Sequence, residues 1–274
     1  FTDPNFYYIC AHLRARLKGN MREHYCFLKD VSKTDYKDED EFKYEKRKLS
    51  YFIDDLKRFN IKTVLIQEYS EITEILQSIK RVYNGRTVYL SGAAAEYNPD
   101  GKDAYEKFIS KLSGRLIYEG YKIVSGYGLG VGSAVISGAL SDYNQKKSLT
   151  DQLILRPFPQ GDDAKEMWET YRQDMISYSG ISIFLLGNKK ESGTIVPSNG
   201  MRSEYEISKE QGNFLIPIGR TGYISKELWN ELLEERQDDH TFDIYRHDIE
   251  SLGDDTKTLD EVVEIVIELI KKVK

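Results

Sequence analysis

The sequence predicts an α/β protein built on a Rossmann-like parallel sheet with helices on both faces. Short apolar runs of strand length alternate with amphipathic helical patterns, almost without interruption from Thr87 to the C-terminus. Small or glycine-rich loops follow several of the apolar runs. Apolar strands that alternate with amphipathic helices are typical of a parallel sheet buried on both faces. The turn-forming pair Asn84-Gly85 separates this pattern from a shorter one, so we place a domain boundary between residues 1–84 and 85–274.

Residues 1–84 have the pattern of a partial α/β unit. Asp3-Pro4 is a typical helix start, and Gly19-Asn20 ends that helix. The elements predicted after it are a strand over 24–28, a helix over 38–59, a strand over 61–66 and a helix over 70–82. Two strands do not form an independent sheet. We therefore expect this segment to complete a domain that begins upstream of Phe1, and the chain to be a piece of a longer protein.

The pattern of residues 85–274 predicts five strands and six helices. The strands are expected over 87–91, 121–125, 153–155, 181–186 and 214–218. The helices are expected over 102–119, 130–144, 162–179, 200–211, 225–235 and 259–272. The order of these elements defines the Rossmann-like domain.

Composition narrows the classes of function. The chain has 40% hydrophobic residues and a formal net charge of −6, which argues against non-specific nucleic-acid binding because that requires a clustered basic face. No apolar run is long enough to cross a bilayer. The two cysteines, Cys10 and Cys26, lack metal-ligand spacing, and the four histidines are scattered. We expect a cytoplasmic protein without a bound metal and without a histidine-based catalytic site.

Ligands of open parallel sheets bind beyond the carboxyl ends of the strands, so the loops there contain the candidate site. The first loop carries Ser91, Gly92 and Ala93, whose small side chains would let a ligand approach the backbone; a tightly packed turn is an equal alternative. The second loop has glycines at 126, 128, 130 and 132, and its candidate ligand contacts are Gly128, Leu129 and Gly130. Glycines allow backbone N–H groups to converge on an anion. The spacing differs from the dinucleotide G-x-G-x-x-G motif, and no P-loop Lys-Ser/Thr pair follows.

The third candidate region opens the helix after strand 181–186. It contains Gly200, Met201 and Glu204, of which Glu204 could accept hydrogen bonds from ribose hydroxyls; a carboxylate that merely complements the helix dipole is the simpler alternative. Arg172 and Lys189 flank the same strand and could neutralise phosphate, although a solvated surface charge is the commoner role of such residues.

The three loops, in this order, resemble the SLOG superfamily. Enzymes of that superfamily carry P-G-G-x-G-T-x-x-E in the third loop, and the matching stretch here, residues 197–204, reads PSNGMRSE. Glu204 is kept, whereas the double glycine and the threonine are replaced. The departure favours ligand binding without turnover, so no catalytic residue is assigned.

The whole chain resembles the Thoeris anti-phage effectors, which join a sirtuin-like NAD-hydrolysing domain to a C-terminal SLOG domain. Asp3-Pro4-Asn5 and the stretch from Lys57 to Thr63 resemble the tail of the sirtuin-like half. The resemblance implies that the SLOG domain binds a cyclic ADP-ribose isomer made by a TIR-domain protein. Binding would then switch on NAD cleavage in the sirtuin-like half of a homo-oligomer, with no cofactor in this chain itself.

The resemblance also implies roles for individual residues. Ser91, Gly92 and the helix N-terminus before Glu204 would donate to phosphate, Arg172 and Lys189 would neutralise the pyrophosphate, and Glu204 would hold ribose hydroxyls. Two alternatives stay open. One is a SLOG-type phosphoribohydrolase of nucleoside monophosphates with Glu204 and Arg172 in catalytic roles. The other is a SLOG module that binds single-stranded DNA, which the charge balance disfavours.

Overall fold

The computed structural model describes residues 24–141, 152–159 and 164–273. The predicted helix that starts at Asp3-Pro4 lies outside the described residues. The chain divides into two compact units, and the division falls between Ile79 and Lys80.

The first unit is a β-α-β arrangement followed by a helix. Strand β1 (His24–Lys29) pairs in parallel with β2 (Ile61–Ile66), and α1 (Glu39–Arg58) connects them. Asp38 caps α1 by accepting a hydrogen bond from the Asp40 backbone N–H. One small core, formed by Leu28, Phe52, Leu56 and Ile61, holds α1 on the two strands. Helix α2 (Glu71–Asn84) follows β2 and leads into the second unit.

The second unit is a five-stranded parallel sheet of order β5-β4-β3-β6-β9. Its strands are β3 (Thr87–Ala93), β4 (Lys122–Ser125), β5 (Leu153–Leu155), β6 (Ile181–Leu186) and β9 (Phe214–Pro217). The described helices are α3 (Lys102–Tyr118), α4 (Gly132–Ser141), α5 (Ala164–Ile176), α6 (Asn199–Glu210), α7 (Tyr223–Glu235), α8 (Asp243–Ser251) and α9 (Leu259–Lys272). The predicted Rossmann-like sheet is therefore confirmed.

Alternate residues of β3 face opposite sides of the sheet, as the pleat requires. Val88 and Leu90 belong to the larger hydrophobic core, which includes residues of α3, α4, α7 and α9. Tyr89 belongs to a second core with Met175 of α5 and Ile207 of α6. Burial on both faces explains why the strands are continuous apolar runs.

Besides three short 3₁₀ helices (Lys33–Asp35, Gly219–Thr221 and His240–Phe242), the described residues contain two elements that were not predicted from the sequence. One is an antiparallel hairpin, β7 (Asn188–Glu191) and β8 (Thr194–Pro197), directly after β6. Its turn residues Ser192 and Gly193 have φ of 50° and 86°, the left-handed pair of a tight hairpin turn. The other is α8, which is strongly charged and contributes a single fully buried side chain, Ile249. Helix α4 begins at Gly132, two residues later than predicted, because Gly130 has a φ of +76°.

Candidate functional site

The candidate site lies where the strand order reverses. Strands β3 and β6 are neighbours, but the chain leaves β3 towards β4 and leaves β6 towards β9. The two connecting loops therefore diverge at the carboxyl ends of these strands, which opens the crevice in which α/β sheets bind ligands. Ser91 and Gly92 of β3 pair there with Phe184 and Leu185 of β6.

Glu204 is the centre of a buried polar cluster at this edge. The Ser91 hydroxyl donates to Glu204 Oε2 at 2.5 Å, and Arg172 Nε lies 3.5 Å from Oε1. Only 8% of Glu204 is exposed. Burial raises the pKa of Glu204, while hydrogen bonds from Ser91 and Tyr89 and the charge of Arg172 act in the opposite direction. The pKa of Tyr89 is raised by its own burial and by the Glu204 carboxylate.

Arg172 lies against the first turn of α6. A Cβ atom at Gly200 would sit 3.0 Å from Arg172 Nη2, so the glycine leaves room for the guanidinium. The Arg172 side chain is 12% exposed, and its buried Nε–H has no hydrogen-bond acceptor among the described residues. Ser198 precedes α6 and makes no side-chain capping bond within the described chain. Within this turn the Met201 N–H donates to the Ser198 carbonyl at 3.0 Å. A guanidinium beside the N-terminus of a helix is an arrangement that attracts phosphate or another anion.

The glycine-rich loop packs on the first loop. A Cβ atom at Gly128 would lie within 1.9 Å of the Gly92 carbonyl oxygen, and one at Gly130 within 2.0 Å of the Ala94 carbonyl oxygen. The Ala94 N–H donates to the Leu129 carbonyl at 2.9 Å, while the Leu129 side chain is 86% exposed. Loop packing thus accounts for these glycines without an anion.

Asn188 fixes the shape of the first loop. Its Oδ1 accepts from the Ala95 and Glu96 N–H groups at 2.9 and 2.8 Å, and its Nδ2 donates to the Glu96 carbonyl at 2.9 Å. The side chain is buried. This residue was not predicted as part of the site, because a buried asparagine and a surface one look alike in a sequence. Its position directly after a strand and a glycine was the available signal.

These contacts revise the predicted role of the Ser91 hydroxyl. It donates to Glu204 in the structure, and the amides of Ala94, Ala95 and Glu96 are also satisfied within the protein. The Arg172 guanidinium and the first turn of α6 are candidate donors for a phosphate.

The remaining predicted residues lie at different depths. Met201 is 2% exposed and belongs to the main hydrophobic core, where a Cβ at Gly187 would lie 2.7 Å from its sulfur. Its side chain therefore shapes the core beneath the hairpin. Lys189 lies on β7, 42% exposed, with Nζ 3.7 Å from Glu191 Oε1. Lys189 stays outside the cluster of Ser91, Arg172 and Glu204.

The described ranges lack the features of two further classes of site. Among these residues, no group of histidine, cysteine, aspartate and glutamate side chains is arranged to hold a metal ion. None of the helices described is long and apolar enough to span a membrane.

Comparisons with known proteins agree with this architecture. Residues 71–273 match the model of the Sir2- and TIR-associating SLOG family. A protein of Bacillus cereus (strain MSX-D12) named NAD(+) hydrolase ThsA is 43% identical over 281 residues, covering 99% of this chain. Proteins of the same name from Cytobacillus dafuensis and Acinetobacter baumannii (strain 532279) are each 39% identical, covering 98% and 100% of this chain. The chain spans 58% of the length of each of these relatives.

Proposed function

Because this chain belongs to the Sir2- and TIR-associating SLOG family, we propose that its second unit is the sensor of a longer anti-phage NAD hydrolase. The sensor binds a cyclic ADP-ribose isomer at the edge formed by β3, β6 and α6. Binding switches on NAD cleavage elsewhere in the longer protein.

The observation that carries this proposal is the surroundings of Arg172. Its guanidinium is mostly buried, has an unsatisfied Nε–H within the described structure, and lies against the first turn of α6. Helix geometry leaves the first N–H groups of α6 without intrahelical acceptors. A pyrophosphate placed there would accept hydrogen bonds from the Arg172 guanidinium and from the N–H groups at the start of α6. The adjacent Glu204 carboxylate would accept a hydrogen bond from a ribose hydroxyl.

The relatives support the remainder of the proposal. They are named NAD(+) hydrolases, and this chain spans 58% of their length. We assign NAD cleavage to the longer protein, with NAD as its substrate, and ligand recognition to this chain. The name of the matched family associates it with Sir2 and TIR proteins, which fits a signal made by a TIR-domain partner. We further propose that the longer protein acts in the cytoplasm as a homo-oligomer.

One feature of the site favours a second candidate function, a SLOG-type nucleotide phosphoribohydrolase. Burial raises the pKa of Glu204 beside the fixed charge of Arg172. Carboxyl groups with raised pKa values serve as general acids in many enzymes. Turnover of a nucleoside monophosphate by this chain would identify that function.

Calorimetric titration of this chain with cyclic ADP-ribose isomers, AMP and NAD separates the two functions. The titration is repeated with Arg172→Ala and Glu204→Ala. Arg202→Ala is the matched control, because Arg202 lies on α6 like Glu204, but its side chain pairs with Glu227 and Glu231 at 2.8 and 3.0 Å.

We expect one cyclic isomer to bind to the unaltered chain and to Arg202→Ala, to lose affinity in the other two variants, and to remain uncleaved. Failure of every cyclic isomer to bind would contradict the sensor proposal. Release of adenine from AMP, abolished by Glu204→Ala, would establish the phosphoribohydrolase instead.

A further inference from the structure

Aromatic side chains between β5 and the middle of α5 surround Arg172. The guanidinium carbon lies 5.0 Å from the centre of the Phe158 ring and 5.8 Å from that of Trp168. The two rings pack edge to face, with centres 6.0 Å apart and planes at 74°. The Trp168 indole N–H donates to the Pro159 carbonyl at 3.0 Å, which fixes the indole orientation. We call Phe158 and Trp168 the aromatic clasp.

The aromatic clasp constrains the position of the guanidinium more tightly than the ion pair between Arg172 and Glu204 does. The 3.5 Å separation between Arg172 Nε and Glu204 Oε1 is longer than the 2.7–3.2 Å typical of a hydrogen bond. Both rings lie within the roughly 6 Å at which a cation is attracted to an aromatic face, and the attraction is strongest when the cation is shielded from water. The Arg172 side chain is 12% exposed and meets that condition.

Phe158 also contacts the glycine-rich loop. A Cβ at Gly126 would lie 2.9 Å from Phe158 Cε2, so this glycine allows the ring to rest on the loop backbone. The opposite end of the same loop packs on Gly92 and Ala94. The ring is therefore held between a rigid loop and the guanidinium.

We infer that Phe158 and Trp168 are positioning residues that aim the Arg172 guanidinium at the first turn of α6, and that they act on the ligand only through Arg172. The consequence for binding rests on the proposed function; the placement of Arg172 does not. The clasp keeps the guanidinium ready for an anion while its Nε–H has no protein acceptor in the described structure.

The placement is tested without any ligand by NMR of the chain labelled with ¹⁵N-arginine. The Arg172 Nε–H signal, identified by its loss in Arg172→Lys, should be displaced by the ring currents and should exchange slowly with water. Phe158→Leu, which has no aromatic face, should move the signal towards those of exposed arginines and speed its exchange. Phe158→Tyr keeps the ring and should restore the signal. An unchanged signal in Phe158→Leu would overturn the inference.

The effect on binding is tested with the cyclic ADP-ribose isomers. Phe158→Leu should weaken binding about three- to thirtyfold, the range that a lost cation–π contact produces. In the Arg172→Ala background the same change should have no further effect, because its influence passes through Arg172. Fully additive losses would show that the ring contacts the ligand directly and would overturn the inference.

Two further variants keep these tests decisive if Phe158→Leu does not fold. Urea unfolding of Phe158→Leu is measured first. If that variant does not fold, two others replace it. Trp168→Phe removes the hydrogen bond to Pro159, and Gly126→Ala displaces the Phe158 ring. We expect the same shift of the Arg172 signal in each. If no cyclic isomer binds to the unaltered chain, the proposed function fails while the NMR result still decides the placement of Arg172.

Discussion

The glycine-rich loop and the first turns of α6 lie at the same edge of the sheet but have different physical roles. Gly128 and Gly130 are glycines because the backbone of Gly92 and Ala94 occupies the space of a side chain. Gly200 is a glycine beside a side chain, the Arg172 guanidinium, rather than beside backbone. The glycine-rich loop supports the first loop by packing on its backbone, and we call it the supporting wall. The first turns of α6 contain or contact the charged groups, Glu204 and Arg172, and we call them the charged region. A high glycine content therefore identifies the edge of the sheet, whereas the neighbours of each glycine identify its role.

Gly128→Ala tests the supporting wall and has the largest expected effect. The new Cβ would collide with the Gly92 carbonyl oxygen, which is a backbone atom and cannot rotate away as the end of a side chain could. We expect a loss of about 3 kcal/mol in the free energy of unfolding, at the upper end of the usual range for overpacking. Urea denaturation followed by circular dichroism measures it. A loss below about 1 kcal/mol would show that the two loops separate easily and are not a fixed wall.

Arg172→Ala tests the charged region. The change leaves the buried Glu204 carboxylate with only its hydroxyl donors, and an under-satisfied buried group costs about 1–3 kcal/mol. The loss should shrink in acid, because protonation of Glu204 removes the charge. Arg202→Ala, which breaks exposed pairs, should cost no more than about 1 kcal/mol. Equal losses for the two arginines would mean that the Arg172–Glu204 pair behaves as an ordinary surface pair.

Glu204→Gln tests the charged region through the pH dependence of the stability of the chain. The folded state raises the pKa of Glu204 above its ordinary 4.5, chiefly through burial, so folding favours the protonated form. The contribution of this group to stability is present below pH 4.5 and is lost as the pH rises through the folded-state pKa. Glutamine does not ionise, so the variant should gain stability relative to the unaltered chain between pH 4 and pH 8. Thermal unfolding across that range measures the difference, and a constant difference would contradict a raised pKa.

Gly200→Ala should have the smallest effect on stability. Alanine favours a helix over glycine by up to about 1 kcal/mol, which offsets the displacement of the Arg172 guanidinium. We expect a free energy of unfolding within about 1 kcal/mol of the unaltered chain, together with weaker binding of the cyclic isomer. Urea denaturation and calorimetry on the same preparation check both. Unaltered binding would show that the first turn of α6 and Arg172 do not share a ligand.

Strong periodicity made most of the fold predictable. Strands β2, β5 and β6 and helix α9 have the predicted bounds, because each is an apolar run or an amphipathic stretch between clear turn residues. Helix α8 was missed because its sequence, DIYRHDIES, has four charged residues among nine and packs chiefly through Ile249. The β7–β8 hairpin was missed although Ser192-Gly193 is a turn-forming pair, because strands this short show almost no alternation.

The candidate site was predictable at the level of loops but not of partners. Sequence order predicted that Ser91, Arg172 and Glu204 share one edge of the sheet, and the structure brings these three together; their role in ligand binding stays a prediction. The sequence could not show that Ser91 donates to Glu204, since the two residues are 113 positions apart. Nor could it show the contact of Phe158 with Arg172, because facing rings leave no local pattern.

The hydrogen bonds of the Asn188 side chain join distant parts of the chain, which has a consequence for the order of folding. The two amides that it accepts from lie 93 and 92 positions earlier in the chain, and Glu204 lies later still. Contacts between distant positions form late, and a nascent chain folds as its residues emerge. During synthesis the edge that contains Ser91, Arg172 and Glu204 is therefore incomplete until α6 has left the ribosome. Under the proposed sensor function, a chain whose synthesis has not yet passed α6 would not respond to the signal.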